Sequence, residues 1–227
     1  MAKQLDLEEQ EQLDELKHFW REYGNLITWG LIAVFGAIAA WNGWQYWQNS
    51  QAAQASAMYD EIERAVQAGD TERVERAFSD LKERFGRTTY AQQAGLLAAT
   101  TLHAKGKTDA AKATLAWVAD KSPDEGYQAL ARLRLASVMM DAKAYDDALK
   151  QLAGDFPAEF APLAADRRGD VLSLQGRKAE ARAEYGKAYQ AFDERSDYRR
   201  LIEVKLAALG GDPKQLAAPA AAAGARS

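Results

Sequence analysis

The stretch Leu26–Trp47 reads LITWGLIAVFGAIAAWNGWQYW and contains no charged side chain. As a helix, its 22 residues would span about 33 Å, close to the roughly 30 Å thickness of a membrane's hydrocarbon core. Aromatic rings that favour the headgroup zone lie at both ends of this stretch. They are Trp20, Tyr23 and Trp29 at the start and Trp41, Trp44, Tyr46 and Trp47 at the end. We therefore predict one transmembrane helix at residues 26–47.

Residues 1–25 are predicted to form an acidic, amphipathic leader in the cytoplasm. They carry seven acidic and three basic side chains, and Leu13, Leu16 and Trp20 recur at helical spacing. A cleaved signal peptide would have a basic leader and a shorter apolar run. We therefore interpret the apolar stretch as an uncleaved signal anchor.

The orientation of the anchor is predicted from the basic residues that flank it. Lys17 and Arg21 lie close before the span, whereas Arg64 alone lies comparably close after it. Lys and Arg near a span favour the cytoplasmic side. This places the N-terminus in the cytoplasm of a bacterium and everything after the inner-membrane span in the periplasm.

The rest of the chain is predicted to be all-α. Residues 48–227 carry 26 basic and 26 acidic side chains, so no basic patch indicates nucleic-acid binding. The composition is alanine-rich, and no run of alternating apolar and polar residues indicates a strand. We expect a helical domain at residues 48–211 and a disordered Ala/Pro-rich tail at 212–227.

A repeated pattern organises this helical domain. Its clearest copy runs from Gly169 to Ala188, with Gly176 between two helices. The small-residue anchors Ala111, Ala148 and Ala181 lie 37 and 33 residues apart. A weaker copy contains Gly69, Val74 and Phe78. The residues expected to pack between the helices are Ala111, Leu115, Ala148, Leu152, Gly169, Ala181 and Tyr185.

The period and these anchors resemble the tetratricopeptide (TPR) repeat in divergent form, because the motif's first tryptophan is missing. The expected fold is a single N-terminal transmembrane helix followed by a TPR-like solenoid, capped by a last helix near 197–209. The alternative is an unrelated helical bundle with chance alanine spacing.

Solenoids usually bind partners on the concave face, which in TPR-like stacks is lined by the first helix of each repeat. The predicted peptide-binding residues are Gln93, Leu96, Thr100, His103, Leu130, Leu133, Ser137, Met140, Leu163, Asp166, Asp170 and Ser173. Of the cations that would clamp a terminal carboxylate, Arg134 and Arg167 alone are suitable, so apolar or unfolded peptide is the expected ligand. The alternative is that the leucines pack inward and that the register is shifted by one residue.

The transmembrane helix carries a stripe of small residues that favours close approach of another helix in lipid. These residues are Ala33, Gly36, Ala40 and Gly43. The alternative is that they reflect only the general abundance of glycine and alanine in membrane spans.

The sequence contains no recognisable catalytic motif, and we expect no enzyme activity, cofactor or metal. There are no cysteines, and the two histidines, His18 and His103, lie on opposite sides of the predicted span. Asp166 and Asp170 lie one helical turn apart beside Arg167 and Arg168 and are interpreted as a surface charge cluster.

The full layout resembles the YfgM family of ancillary SecYEG translocon subunits. The resemblance rests on the run DELKHFWREYGNLITWGLIAVFGAIAAWNGW at residues 14–44 and on DRRGDVLSLQGRKAEARAEYGKAY at 166–189. It implies contact with SecYEG, partnership with the periplasmic folding factor PpiD, and help to unfolded secreted chains. The competing hypothesis is a cell-envelope scaffold that holds fixed protein partners and binds no unfolded client.

Overall fold

The computed structural model describes residues 7–211, and these residues form nine α-helices and no strand. The helices are α1 Leu7–Ala68, α2 Thr71–Phe85, α3 Thr89–Ala104, α4 Thr108–Lys121, α5 Glu125–Asp141, α6 Tyr145–Leu152, α7 Ala161–Leu174, α8 Lys178–Ala191 and α9 Asp197–Ala208. The predicted all-α class is confirmed. The start of the leader, residues 1–6, and the predicted disordered tail, residues 212–227, lie outside the described residues. The chain divides into two compact units between Ala53 and Gln54.

The first unit contains the apolar part of α1. Its large side chains are exposed, including Leu26 at 73%, Phe35 at 65% and Trp41 at 65%. A core helix of a soluble protein would bury such residues, whereas a helix of this length and apolar character is long enough to cross a membrane. The Thr28 hydroxyl donates a hydrogen bond to the Gly24 carbonyl at 2.7 Å, so this polar group is satisfied within the helix. The chain is membrane-anchored through this segment.

The second unit is a row of antiparallel helix pairs. Residues 54–68 of α1 form pair 1 with α2, α3 and α4 form pair 2, α5 and α6 form pair 3, and α7 and α8 form pair 4. Within pair 1, the Arg73 side chain of α2 donates to Glu61 of α1 at 3.1 Å. Because α5 packs against both α3 and α7, the first helices of pairs 2, 3 and 4 lie side by side.

A residue with positive φ, here called the turn residue, joins the two helices of every pair. The turn residues are Gly69 (φ 69°), Gly106 (φ 80°), Lys143 (φ 58°) and Gly176 (φ 76°). The amide that follows each of them donates to the carbonyl five residues earlier, for example Lys107 N to Leu102 O at 2.9 Å. This is the bond of a Schellman C-cap, which satisfies a free carbonyl and reverses the chain. Lys143 shows that the turn tolerates a residue other than glycine.

The core follows the turn residues with a fixed spacing. The residues five and nine positions after each turn residue are buried: Val74 and Phe78, Ala111 and Leu115, Ala148 and Leu152, and Ala181 and Tyr185. In pair 4 the close approach is visible at Gly169, where an added Cβ would lie 2.5 Å from Cδ1 of Tyr185. Gly169 is therefore needed for α7 and α8 to approach this closely.

The last helix, α9, covers the end of pair 4. Its Ile202 and Leu206 are fully buried against Tyr185 and Tyr189 of α8. Gly210, with φ 75°, ends α9 through the same type of turn, with the next amide donating to Leu206 O at 2.8 Å. Helix α9 therefore resembles the first helix of a fifth pair.

Candidate functional site

The first helices form one continuous surface, and the turn residues fix which side chains face it. Counting back nine and six residues from each turn residue gives the positions that define this surface, here called the first-helix face. From pair 1 to α9 these residues are Asp60 and Glu63, Leu97 and Thr100, Arg134 and Ser137, Arg167 and Asp170, and Leu201 and Val204. Arg134 and Leu201 are exposed at this register, whereas Leu133 is buried.

The structure corrects three residues of the predicted peptide-binding face. Leu96, Leu133 and Asp166 are only 6%, 8% and 1% exposed, so they cannot contact a ligand in this conformation. Leu96 and Leu133 belong to apolar core clusters, where burying a leucine side chain contributes about 1.5–3 kcal/mol. At each of these positions the next residue along the chain is the more exposed one, namely Leu97, Arg134 and Arg167. The alternative interpretation of the sequence, a register shifted by one residue, allowed for this.

Several of the other predicted residues lie on or beside the face and bond to neighbouring helices. Gln93 donates to the Tyr127 hydroxyl at 3.0 Å, joining α3 to α5. His103 Nε2 lies 3.0 Å from Asp141 Oδ2, which joins the same two helices further along. Thr100, Ser137 and Ser173 complete the polar set, and the first two donate to carbonyls of their own helices. The predicted apolar members Leu130, Met140 and Leu163 are partly buried against the core.

Tyrosines that the sequence analysis missed mark the N-terminal end of the face. Tyr59 and Tyr90 lie with ring centroids 6.0 Å apart, and Tyr127 holds the bond from Gln93. Burial raises the pKa of the Tyr59 phenol, and the Glu63 carboxylate raises it further. Partly exposed tyrosines provide large, rigid contact area with a polar end, as is typical of protein-binding surfaces. The sequence did contain a signal for two of these tyrosines, because Tyr90 and Tyr127 are 37 residues apart, which equals the spacing between repeats.

Asp166 and Asp170 do not form the surface charge cluster predicted from the sequence. Lys205 Nζ of α9 lies 2.7 Å from Asp166 Oδ1 and 2.7 Å from Asp170 Oδ1. The Tyr198 hydroxyl donates to Asp166 at 2.8 Å, and the Tyr185 hydroxyl donates to Asp170 at 2.8 Å. Burial raises the pKa of both phenols, and these carboxylates raise it further. The cluster fastens α9 to pair 4, which a local reading of α7 could not reveal.

Arg168 is also structural. Its Nε donates to Glu184 of α8 at 2.7 Å, and its NH1 donates to Leu152 O of α6 at 2.9 Å. Burial raises the pKa of Glu184, but the bonds from Lys187 and Arg168 outweigh this effect, so the net pKa lies below its usual value. Arg168 thus joins pair 3 to pair 4.

An apolar patch lies at the C-terminal end of the face. Among residues 54–211, the exposed large apolar side chains are Leu174 at 55%, Leu201 at 46% and Val204 at 66%. Leu201 and Val204 occupy the two face positions of α9, and Leu174 lies one turn beyond Asp170 on α7. Because Lys205 bonds to Asp170, these two stretches of α7 and α9 are neighbours. The patch therefore offers apolar surface that no described residue covers.

The small residues of the membrane helix form a separate candidate. The stripe contains Ala33, Gly36, Ala40 and Gly43. An added Cβ at Gly36 or Gly43 would meet nothing within 4 Å in the described chain. The stripe is open to an approaching helix.

No group of three or more His, Asp or Glu side chains among residues 7–211 is arranged to hold a metal ion. What the arrangement provides is a contact surface with aromatic, charged and apolar zones.

Comparisons with known proteins agree with this architecture. A family model described as a tetratricopeptide repeat-like domain matches residues 17–211. A protein of Neisseria gonorrhoeae named ancillary SecYEG translocon subunit is 33% identical over 207 residues, covering 89% of this chain and 98% of the relative. The chain therefore belongs to the family of ancillary SecYEG translocon subunits. Two further proteins have the same name. The one from Escherichia coli is 31% identical and the match covers 77% of this chain and 84% of the relative. The one from Haemophilus influenzae is 30% identical and the match covers 82% of this chain and 90% of the relative.

The family match covers both units of the chain. It begins at residue 17, before the membrane helix, and ends at residue 211, after α9. The anchor, the four pairs and α9 therefore all belong to the family's shared architecture, and the predicted YfgM-type resemblance is confirmed.

Proposed function

We propose that the protein is an ancillary subunit of the SecYEG translocon that binds polypeptide segments on its first-helix face. The observation that carries this proposal is the exposed apolar patch of Leu174, Leu201 and Val204 at one end of a face whose other end bears tyrosines. Several exposed large apolar side chains on neighbouring helices of a repeat unit are typical of an interaction site. The names of the relatives supply the translocon as the assembly in which the binding takes place.

The repeat unit is proposed to lie in the periplasm. Lys17 and Arg21 before the span, against Arg64 after it, support a cytoplasmic N-terminus. In this orientation the first-helix face would meet secreted chains as they leave the translocon. Protease added to spheroplasts should then digest residues beyond about 50 and spare the N-terminus. Digestion only after lysis would refute the orientation.

Two kinds of partner follow from the proposal. Unfolded secreted chains are the proposed clients, because the face combines apolar and polar zones along successive helices. PpiD is a proposed fixed partner, as the family resemblance implies. Binding to clients should be weak, since ordering a flexible chain offsets much of the gain from burying its apolar groups.

The proposal is tested by purifying the full chain from its source membrane in mild detergent. We expect SecYEG to co-purify, and we expect the purified protein to bind an unfolded secreted chain with micromolar affinity. The double variant Leu201→Ser/Val204→Ser should weaken client binding, whereas Ala183→Ser, at an exposed position of α8, should not. Recovery of one stoichiometric partner, with no affinity for any unfolded chain, would favour the scaffold function instead.

A further inference from the structure

Two arginines occupy equivalent positions on neighbouring first helices. Arg134 on α5 and Arg167 on α7 each lie nine residues before a turn residue, Lys143 and Gly176 respectively. Because α5 packs against α7, the two guanidinium groups belong to adjacent rows of the first-helix face. The sequence alone does not show which arginines of these helices face outward, since the nearby Arg132 and Arg168 donate instead to Gln151 O and Glu184.

The bonding of Arg134 leaves most of its donors free. Its NH1 lies 3.3 Å from Leu96 O and 3.4 Å from the Thr100 hydroxyl, both neutral and both long. Among the described residues, no carboxylate lies within ion-pair distance of it. Arg132, in contrast, donates from Nε at 2.9 Å to Gln151 O and contacts two further carbonyls. Arg134 is therefore not needed to cap a helix end.

The guanidinium group of Arg167 also makes fewer hydrogen bonds than it could. Its contact to Asp170 Oδ2 is 3.5 Å, whereas the other oxygen of that carboxylate accepts bonds of 2.7 Å from Lys205 and 2.8 Å from Tyr185. The Nε of Arg167 is buried and has no hydrogen-bond partner. Because the Arg167 side chain is still 34% exposed, an incoming carboxylate would meet its terminal nitrogens rather than the buried Nε, and the long contact to Asp170 leaves them donors to offer.

The next equivalent position is apolar. On α9 the residue nine positions before Gly210 is Leu201, followed one turn later by Val204. The face therefore presents cation, cation and apolar group on three successive first helices. Adjacent packed helices lie about 8–10 Å apart, which sets the spacing of these three groups.

We propose that this half of the first-helix face binds an extended polypeptide segment carrying two carboxylates and one leucine-like side chain, each three residues apart. An extended chain in the polyproline II form has three residues per turn and advances about 3.1 Å per residue, so side chains three residues apart lie on one side, about 9 Å apart, which matches the distance between neighbouring helices. Guanidinium groups bind carboxylates through paired, charge-assisted hydrogen bonds. The inference rests on the proposed polypeptide binding and names the chemical class of segment bound.

The test uses the full-length protein in lipid nanodiscs and three fluorescent peptides, measured by anisotropy. The peptides share leucines and length and differ only in having Glu, Gln or Lys at the two charged positions. We expect the Glu peptide to bind about tenfold more tightly than the Gln peptide, and the Lys peptide to bind most weakly. This preference should diminish at high salt, because exposed charges are screened.

Charge reversal of the two arginines provides the matched variants. Arg134→Glu/Arg167→Glu should lose the preference for the Glu peptide and gain one for the Lys peptide. Arg182→Glu, at an exposed position of α8, is the control and should leave the order of affinities unchanged. Arg134→Gln/Arg167→Gln, checked by far-UV circular dichroism, tests the same preference if the reversed protein does not fold.

Two outcomes separate this inference from the proposed function. If the three peptides bind equally, or if Arg182→Glu has the same effect as the double reversal, the carboxylate preference is wrong. An unfolded client without acidic residues is measured in parallel, and its continued binding in that case leaves the proposed function standing. Failure of both the client and all three peptides to bind would overturn both.

Discussion

Replacing Lys205 with methionine is expected to release α9 from pair 4. The Lys205 ammonium lies 2.7 Å from both Asp166 and Asp170, and Asp166 is 1% exposed. Methionine keeps most of the apolar length of the side chain, so the substitution removes mainly the charge. The two carboxylates then lose their short-range cation while Asp166 remains buried.

The magnitude follows from a comparison of two contributions. Removing one partner of a buried ion pair costs about 3–5 kcal/mol, and the lower end applies here because the side chains of Lys205 and Asp170 are 23% and 18% exposed. Burial of Ile202 and Leu206 contributes about 3–6 kcal/mol to docking of α9. The loss is comparable with this gain, whereas pairs 1–4 keep their own core. Local release of α9 is therefore expected rather than global unfolding.

Hydrogen exchange of the full chain, followed by mass spectrometry, measures this release directly. Amides of residues 197–211 should lose most of their protection in Lys205→Met, while those of α3 and α5 should not change. Lys150→Met is the matched control, because its ion pair with Asp147 is exposed at 75% and 57% and exposed ion pairs contribute little to stability. Adding Asp166→Asn and Asp170→Asn to Lys205→Met should restore part of the protection. Unchanged exchange at 197–211 would refute the reasoning.

Three further predictions concern the pair core, alkaline pH and the membrane helix. Ala181→Glu should lower the free energy of unfolding by more than about 3 kcal/mol, because it forces bulk and a charge between packed helices. Ala183→Glu, at an exposed position of the same helix, should have almost no effect. Equal melting temperatures for the two variants would contradict the packing. The raised pKa values of Tyr185 and Tyr198 contribute stability that is present below the ordinary tyrosine pKa of about 10 and is lost as the pH rises above it. The urea midpoint should therefore fall between about pH 9.5 and 11, less steeply in Tyr198→Phe, and a midpoint independent of pH would rule this out. Gly36→Leu should keep the protein in the membrane but reduce co-purification of a membrane partner, because leucine blocks close helix approach; unchanged recovery would assign the association to the repeat unit.

The pair architecture could be predicted because its signals are local. Gly106 and Gly176 mark turns that need a positive φ, and Ala111 and Ala181 follow each at the same distance. Such spacings repeat along the chain, so the helices and their order can be inferred without knowing any long-range contact. The positive φ at Lys143 could not be predicted in this way, because a lysine in the sequence does not indicate that conformation as a glycine does.

The face could be predicted only approximately, because helical periodicity leaves its angle uncertain. A shift of one residue turns a helix by about 100°, which is why Leu133 faces the core and Arg134 faces outward. Which leucines are buried depends on the neighbouring helices, and no local pattern records that packing.

The sequence by itself determined the anchor, the all-α class and the family. An uncharged, apolar stretch of 22 residues at 26–47 with aromatic residues at both ends predicts a membrane span, and repeated small residues predict stacked helix pairs. The tertiary structure alone decided the role of the charged residues. Asp166, 39 residues before Lys205 in the chain, is buried against it, whereas Arg134 remains without a carboxylate partner in the described residues. The physical reason is that a charge's role depends on its distance from other charges and from water, and both are set by the packing of helices far apart in sequence.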